Sequence, residues 1–213
     1  MSVFIQIGTN NGNDNFRKLV LKHKPSRVIL IEPNSNLYES IRKNYQDIPN
    51  VTILNRAICY EDNKPVELYI AKEYGDAHFS LLPMNDWGDK SDMVKITANS
   101  IRFDTLCSIL NISEIDYLQI DTEGFDSEII DMIDFNTYTI HQLRYEAWGF
   151  DTEAFTKHNE DKAYKLGKAG MERTANKLAA YGYTLNNISD EDGNDIIASR
   201  KCLEELIEFY KIT

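Results

Sequence analysis

Apolar and polar positions along the chain switch repeatedly between two periods. Val3-Phe4-Ile5-Gln6-Ile7 is a short apolar run ending at Gly8, the pattern of a buried strand. Phe16, Leu19, Val20 and His23 then fall on one helical face, and Pro25 stops that helix. Val28 to Ile31 predicts a second buried strand, ending at Glu32-Pro33. Asn36 is the expected cap of the next helix, with Leu37, Ile41 and Tyr45 on its inner face, and Val51 to Leu54 is a third strand. Strand, helix, strand, helix, strand predicts a parallel sheet with right-handed crossovers.

The middle of the chain is less regular. Pro65 to Ala71 alternates like an exposed strand, residues 73–92 read as a long surface loop, and Met93 to Thr97 is another short strand candidate. Asp104 is the expected cap of a helix carrying Leu106, Ile109 and Leu110. Tyr117 to Asp121 predicts another buried strand, with Asp126 or Ser127 capping the helix after it, and Leu143, Tyr145 and Ala147 a further strand. Residues 149–170 are polar and rich in lysine, an insertion. A helix with Met171, Ala175, Leu178 and Ala179 inside is closed by Gly182, where a left-handed cap belongs. Tyr183–Ile188 and Asp195–Ser199 bracket a turn-rich stretch, a terminal hairpin signal, and Leu203, Leu206, Ile207 and Tyr210 mark a last helix. The whole chain, 1–213, reads as one domain, with 73–98 and 149–170 as elements over its cleft.

Composition narrows the partners. Acids outnumber bases 34 to 23, for a net charge of −11, which argues against broad binding of nucleic acid or an anionic membrane. No apolar run approaches the roughly 18 residues of a membrane span. The N-terminus runs straight into a strand pattern and lacks the layout of a signal peptide. Cys59, Cys107 and Cys202 are odd in number and widely spaced, as expected of reduced thiols in the cytoplasm.

Candidate chemistry gathers where the strands end. Gly8-Thr9-Asn10-Asn11-Gly12 joins the first strand to the first helix, where a backbone can approach a ligand and a helix N-terminus offers free N–H groups. A tight turn alone would also account for it. Glu32 ends the second strand, in position to accept from both hydroxyls of an adenosine ribose, and it would repel a 2′-phosphate. The spacing Gly8-x-x-x-Gly12 lacks the third glycine of dinucleotide-binding folds.

Three stretches carry a resemblance to a known family: IQIGTNNGND at 5–14, VILIEPN at 28–34 and DYLQIDTEGFDSEII at 116–130, with Phe103-Asp104-Thr105-Leu106 before the last. Over roughly residues 3–148 the chain resembles the FkbM-type methyltransferases, within the class I group that uses S-adenosyl-L-methionine. It departs from the family's common residues at Gln6 (usually Asp), Thr9 (usually Ala) and Gln119 (usually Lys). The resemblance implies a Rossmann-like α/β sandwich: a mostly parallel seven-stranded sheet, helices on both faces and an antiparallel C-terminal hairpin. It implies that Gly8 and Gly12, with the Thr9-Asn10-Asn11 backbone, face the methionine and ribose of the cofactor. Glu32 would hold the ribose, Pro33 and Asn34 would shape its rim, and Ala57 and Ile58 would lie against adenine, unless they are core. Asp121 would lie near the departing methyl.

Methyl transfer asks a protein to align donor and acceptor, exclude water and remove a proton from a hydroxyl acceptor. Asp121, Glu123 and Glu146 offer carboxylates for orienting an acceptor, acting as base or holding Mg²⁺, or for bonding loops and helix ends; no metal is assigned. His78, in the long loop, is the general-base candidate among the histidines; His23 suits its helix end, His141 lies at the wrong end of its strand, and His158 falls in the polar insertion. Ser80 is a candidate contact to substrate or cofactor, and Trp87 and Trp148 are candidate walls of an acceptor pocket. The expected activity is O-methylation of a small molecule or sugar. A nicotinamide-dependent oxidoreductase and a cofactor-binding protein without turnover are the competing readings.

Overall fold

In the computed structural model, residues 2–72, 79–146, 157–158, 168–190 and 193–211 are described. The first half runs β1 (Val3–Ile7), α1 (Asn15–His23), β2 (Arg27–Ile31), α2 (Tyr38–Asn44), β3 (Val51–Leu54), β4 (Ala57–Ile58), β5 (Pro65–Ile70) and β6 (Val94–Ile101). The second runs α3 (Phe103–Leu110), β7 (Glu114–Ile120), α4 (Asp126–Met132), β8 (Thr139–Glu146), α5 (Lys168–Ala180), β9 (Thr184–Asp190), β10 (Gly193–Ser199) and α6 (Leu203–Tyr210).

Seven strands form one sheet in the order β3-β2-β1-β7-β8-β10-β9. All neighbours are parallel except β10, which runs antiparallel to both β8 and β9. The order reverses between β1 and β7, so the strand ends there open a crevice of the kind that binds ligands in α/β sheets. Both sheet faces are covered, which is why the central strands read as unbroken apolar runs. Ile5, Ile7, Ile29, Ile31, Leu118 and Ile120 pack on one face with Phe103, Leu106, Ile129, Ile130 and Leu178 of α3, α4 and α5. Phe4, Val28, Leu30 and Tyr117 pack on the other with Phe16, Leu19, Val20 and Ile41 of α1 and α2, and with Phe209 and Tyr210 of α6.

That second face also carries a row of buried polar side chains. Gln6 lies directly beside Gln119 in the ladder, and Gln119 beside Arg144. Arg144 and Asp195 form a buried ion pair across β8 and β10, and Gln6 Nε2 donates to Asp14 Oδ2 at 2.5 Å. Gln6 and Gln119, two of the three departures named above, are therefore lateral neighbours, two amides side by side in the buried row. The third, Thr9, is fully buried, with its hydroxyl 3.3 Å from the carbonyl of Ile31.

Several expectations need correction. The short strand expected at Met93–Thr97 is present but longer, Val94–Ile101, eight residues antiparallel to β5, so the end of the 73–98 element is strand. With β4 it makes a second, three-stranded sheet. Residues 168–170 of the expected insertion belong to α5. The buried side of α5 is Gly170, Thr174 and Leu178, while Met171 and Ala179 are exposed: small and hydroxyl residues let the helix approach the sheet closely, which an apolar pattern does not reveal. Ile207 of α6 is likewise exposed. The helix caps also differ. Asp14 caps α1, Asn34 rather than Asn36 caps the 3-10 turn Ser35–Leu37 before α2, and Asp62 rather than Asp104 receives the N–H of Arg102 at the start of α3. Gly182 follows α5 at φ +82, as its expected role requires.

Candidate active site

At the carboxyl ends of β1, β2 and β7 lies a cleft of about 730 Å³, counted with its open mouth. Its first wall is the turn after β1. Gly8 has φ +83, and a Cβ there would lie 1.6 Å from the carbonyl oxygen of Asp121. Only glycine lets β1 turn so close to the end of β7. Asn10 follows at φ 50, which aims its N–H at Glu32 Oε2, 2.8 Å away. The N–H of Asn34 meets the other oxygen, Oε1, also at 2.8 Å. Glu32 is buried, and the side chain of Asn55 holds its backbone by donating to the carbonyls of Glu32 and Pro33, each at 2.9 Å. Burial pushes the Glu32 carboxyl up to about 7, against the pull of its two backbone N–H partners.

Among the residues expected to hold the cofactor, Gly8, Asn10, Glu32, Pro33, Ala57, Ile58 and Asp121 line this one cleft. The others are placed differently. Thr9 turns into the sheet. Asn11 is exposed and binds its neighbours Asn13 and Asn44. Gly12 packs against Tyr45 and Ile41 of α2, so its lack of a side chain serves helix packing. Asn34 spends its side chain on the turn it caps and contributes its N–H to Glu32.

The opposite wall follows β7. Glu123 has φ 55, an uncommon conformation for a residue with a side chain, and the hydroxyl of Ser80 donates to its carbonyl at 2.6 Å. Ser80 thus latches the edge of the second sheet to the turn instead of facing the cleft. Carboxylate oxygens of Asp121, Glu123 and Glu146 all lie within 4.8 Å of one another. Burial, then the charges of Glu123 and Asp126, hold the Asp121 carboxyl well above the usual carboxylate range. Asp126 does not serve as the expected side-chain cap of α4. Its Oδ1 accepts from the N–H of Thr122 at 2.9 Å and from the Thr122 hydroxyl, and its Oδ2 accepts from the N–H of Glu146 at 3.0 Å. Burial raises this carboxyl to about 6 against those bonds.

The cleft is completed by Leu37, Arg56, Leu68, Phe79, Leu81, Thr122 and Phe125, none of which the sequence singled out. Their signal in the sequence is slight, because Leu68, Phe79 and Leu81 come from the second sheet and its edge. His78 and Trp148 lie outside the described residues, and Trp87 ends a 3-10 turn, Asn85–Trp87. The other histidines are away from the cleft lining. The ring Nε2 of His23 lies 2.9 Å from the carbonyl of Phe209, and that of His141 2.8 Å from Glu114. His158, in the expected polar insertion, meets the carbonyl of Gly88 at 2.8 Å, and Lys157 beside it pairs with Asp89 at 2.8 Å. The two expected insertions therefore touch each other.

A mostly parallel sheet with this strand order, a glycine turn after its first strand and acids ending its second and fourth parallel strands in one cleft, defines a Rossmann-like α/β fold with a ligand site at its switch point. The sequence profile of the methyltransferase FkbM domain matches residues 6–185, and the chain belongs to that family. No curated protein matches the chain. Among solved structures, an O-methyltransferase from Bacillus cereus in complex with SAH is 14% identical, covering 93% of this chain and 74% of that one at a TM-score of 0.50. A precorrin-6y C5,15-methyltransferase from Geobacter metallireducens GS-15 is 13% identical over 93% and 80% of the two chains, with a TM-score of 0.46. At 14% identity the likeness to the Bacillus cereus enzyme concerns the fold alone. Among the described residues no helix is long and apolar enough to cross a membrane.

Proposed function

We propose that the chain is a methyltransferase that uses S-adenosyl-L-methionine and methylates an oxygen of a small molecule or sugar. The observation that carries this is Glu32: a buried carboxylate lining the cleft, each of its oxygens held by one backbone N–H and each keeping acceptor capacity for a ribose diol. Family membership and the SAH bound by the Bacillus cereus neighbour support the same donor.

When bound, the donor supplies a methyl group on a positively charged sulfur. In our reading Glu32 holds the ribose, Pro33, Ala57 and Ile58 border the adenine, and the Gly8 turn leaves room for the amino-acid portion. Asp121 would lie near the transferred methyl. Glu123 and Glu146 would orient an acceptor hydroxyl, and an ionised carboxylate of that cluster would take its proton. A net charge of −11 favours a small acceptor over a nucleic acid, and the three widely spaced cysteines favour a cytoplasmic location. We take the described elements as one methyltransferase-like domain, its specificity set by the second sheet and the insertions.

Calorimetry with S-adenosylhomocysteine tests the donor: micromolar binding is expected. Absence of binding, together with binding of NADH, would replace this reading with the oxidoreductase one. Transfer of labelled methyl from the donor to hydroxylated acceptors tests turnover, and labelling of nitrogen instead of oxygen would correct the acceptor class.

A further inference from the structure

Asp126 is 3% exposed and stands behind the acid cluster, joined to two chain segments at once. Its Oδ1 receives the N–H of Thr122 (2.9 Å) and the Thr122 hydroxyl, and its Oδ2 receives the N–H of Glu146 (3.0 Å). The parallel ladder between β7 and β8 ends at Ile120 and Tyr145. Asp121 and Glu123 follow the first of these residues and Glu146 the second, so all three acids lie just beyond the last rung. Asp126 is the side chain that ties those two strand ends together where the ladder has stopped. Leaving a buried anion there is costly unless its partners are fixed, so the same bonds that satisfy Asp126 also fix the spacing of the acids.

Resting on the proposed donor, we infer that Asp126 is a positioning residue: it sets the separation of the Asp121–Glu123 turn from Glu146, so that the three carboxylates present one focused negative field to the donor's sulfonium. Asp126 itself is buried behind the cleft and does not line it. Such a field distinguishes the cationic donor from its neutral-sulfur product, because only the former gains from nearby anions. It therefore favours exchange of spent product for fresh donor.

The test is calorimetry of S-adenosylmethionine and S-adenosylhomocysteine on the full chain and its variants. Wild type should bind the sulfonium form more tightly. Asp126→Glu keeps the charge but displaces the carboxylate, and should lower that preference about tenfold while product affinity changes less than about twofold. Asp126→Asn leaves an acceptor for Thr122 but faces the Glu146 N–H with a donor, and should do the same. Thr122→Val keeps size and charge, removes one bond, and should lower the preference by a smaller factor with product affinity unchanged. Because Thr122 also lines the cleft, an equal loss for both compounds would mean a lost direct contact and count against the inference. This variant decides the matter if the Asp126 variants fail to fold. A preference unchanged in all three, with only a lower melting temperature, would make Asp126 purely structural and overturn the inference. An effect in Asp126→Asn but none in Asp126→Glu would overturn it too, by showing that charge alone matters. Wild type binding neither compound would remove the donor reading itself, an outcome separate from an unchanged preference in protein that binds both.

Discussion

The two acidic ends of the cleft solve opposite problems. At the end of β2, Glu32 is a buried carboxylate, each oxygen bound by a backbone N–H. At the end of β7, Asp121 is crowded by Glu123, Glu146 and Asp126. Both carboxyls are pushed up, but for different reasons: burial alone for Glu32, burial reinforced by neighbouring charge for Asp121. A lone anion held by neutral donors suits neutral hydroxyls. A cluster of anions suits a cation. The contrast shows how one acidic cleft can treat two ends of the same ligand differently, using the same functional group at both.

The largest expected effect comes from breaking the point where the two ends meet. Gly8→Ala would drive a Cβ into the Asp121 carbonyl, and should cost about 3–5 kcal/mol, lowering the melting temperature by on the order of 10 °C and abolishing S-adenosylhomocysteine binding. Scanning calorimetry checks it; a near-normal melting temperature would show that the turn relaxes. Next, Glu32→Ala should weaken S-adenosylhomocysteine by about 100-fold, two charge-assisted bonds to the ribose being lost. An unchanged titration would take Glu32 out of the ligand site.

A pH series sharpens the comparison. Ionised Glu32 is the form that accepts from hydroxyls, so binding should expel a proton, and S-adenosylhomocysteine affinity should fall as pH drops below about 7, by no more than about tenfold per unit. Its raised carboxyl has the opposite consequence for the free protein. The folded state holds the proton more tightly than the unfolded state, so Glu32 contributes stability below the ordinary carboxylate range that is lost as pH rises through about 7. Titrations in buffers of different ionisation heat measure the proton count, and Glu32→Gln should remove it. The smallest effect belongs to Glu123→Gly. Relief of its positive φ should stabilise the chain by about 1 kcal/mol, raising the melting temperature by roughly 2–4 °C, while donor affinity falls. A lower melting temperature would mean that the side chain outweighs the backbone strain.

Much of this arrangement could be read from local sequence. The strands β1, β2 and β7 are apolar because both sheet faces are covered, and Gly8, Glu32 and Asp121 each follow a strand end, which is where the topology opens. What escaped reading depends on distant contacts. Asp126 looks like any acid at a helix start; its meeting with the Glu146 N–H exists only because β7 and β8 are neighbours. Leu68, Phe79 and Leu81 reach the cleft through a second sheet whose pairing joins residues far apart in the chain. Gly12 carried a motif's expectation, but its close neighbour is Tyr45. On α5, Thr174 in the buried row defeated a rule that looks for apolar residues.

The adjacency of Gln6 and Gln119 couples the two positions. Each amide completes the surroundings of the other in a buried row that also holds Arg144, with Asp14 beside Gln6. A charge placed at either position alone would be stranded in the interior, whereas opposite charges placed at both could pair across the ladder. Gln6→Asp or Gln119→Lys introduced singly should therefore be tolerated less well than the two introduced together, so the pair behaves as one unit under substitution.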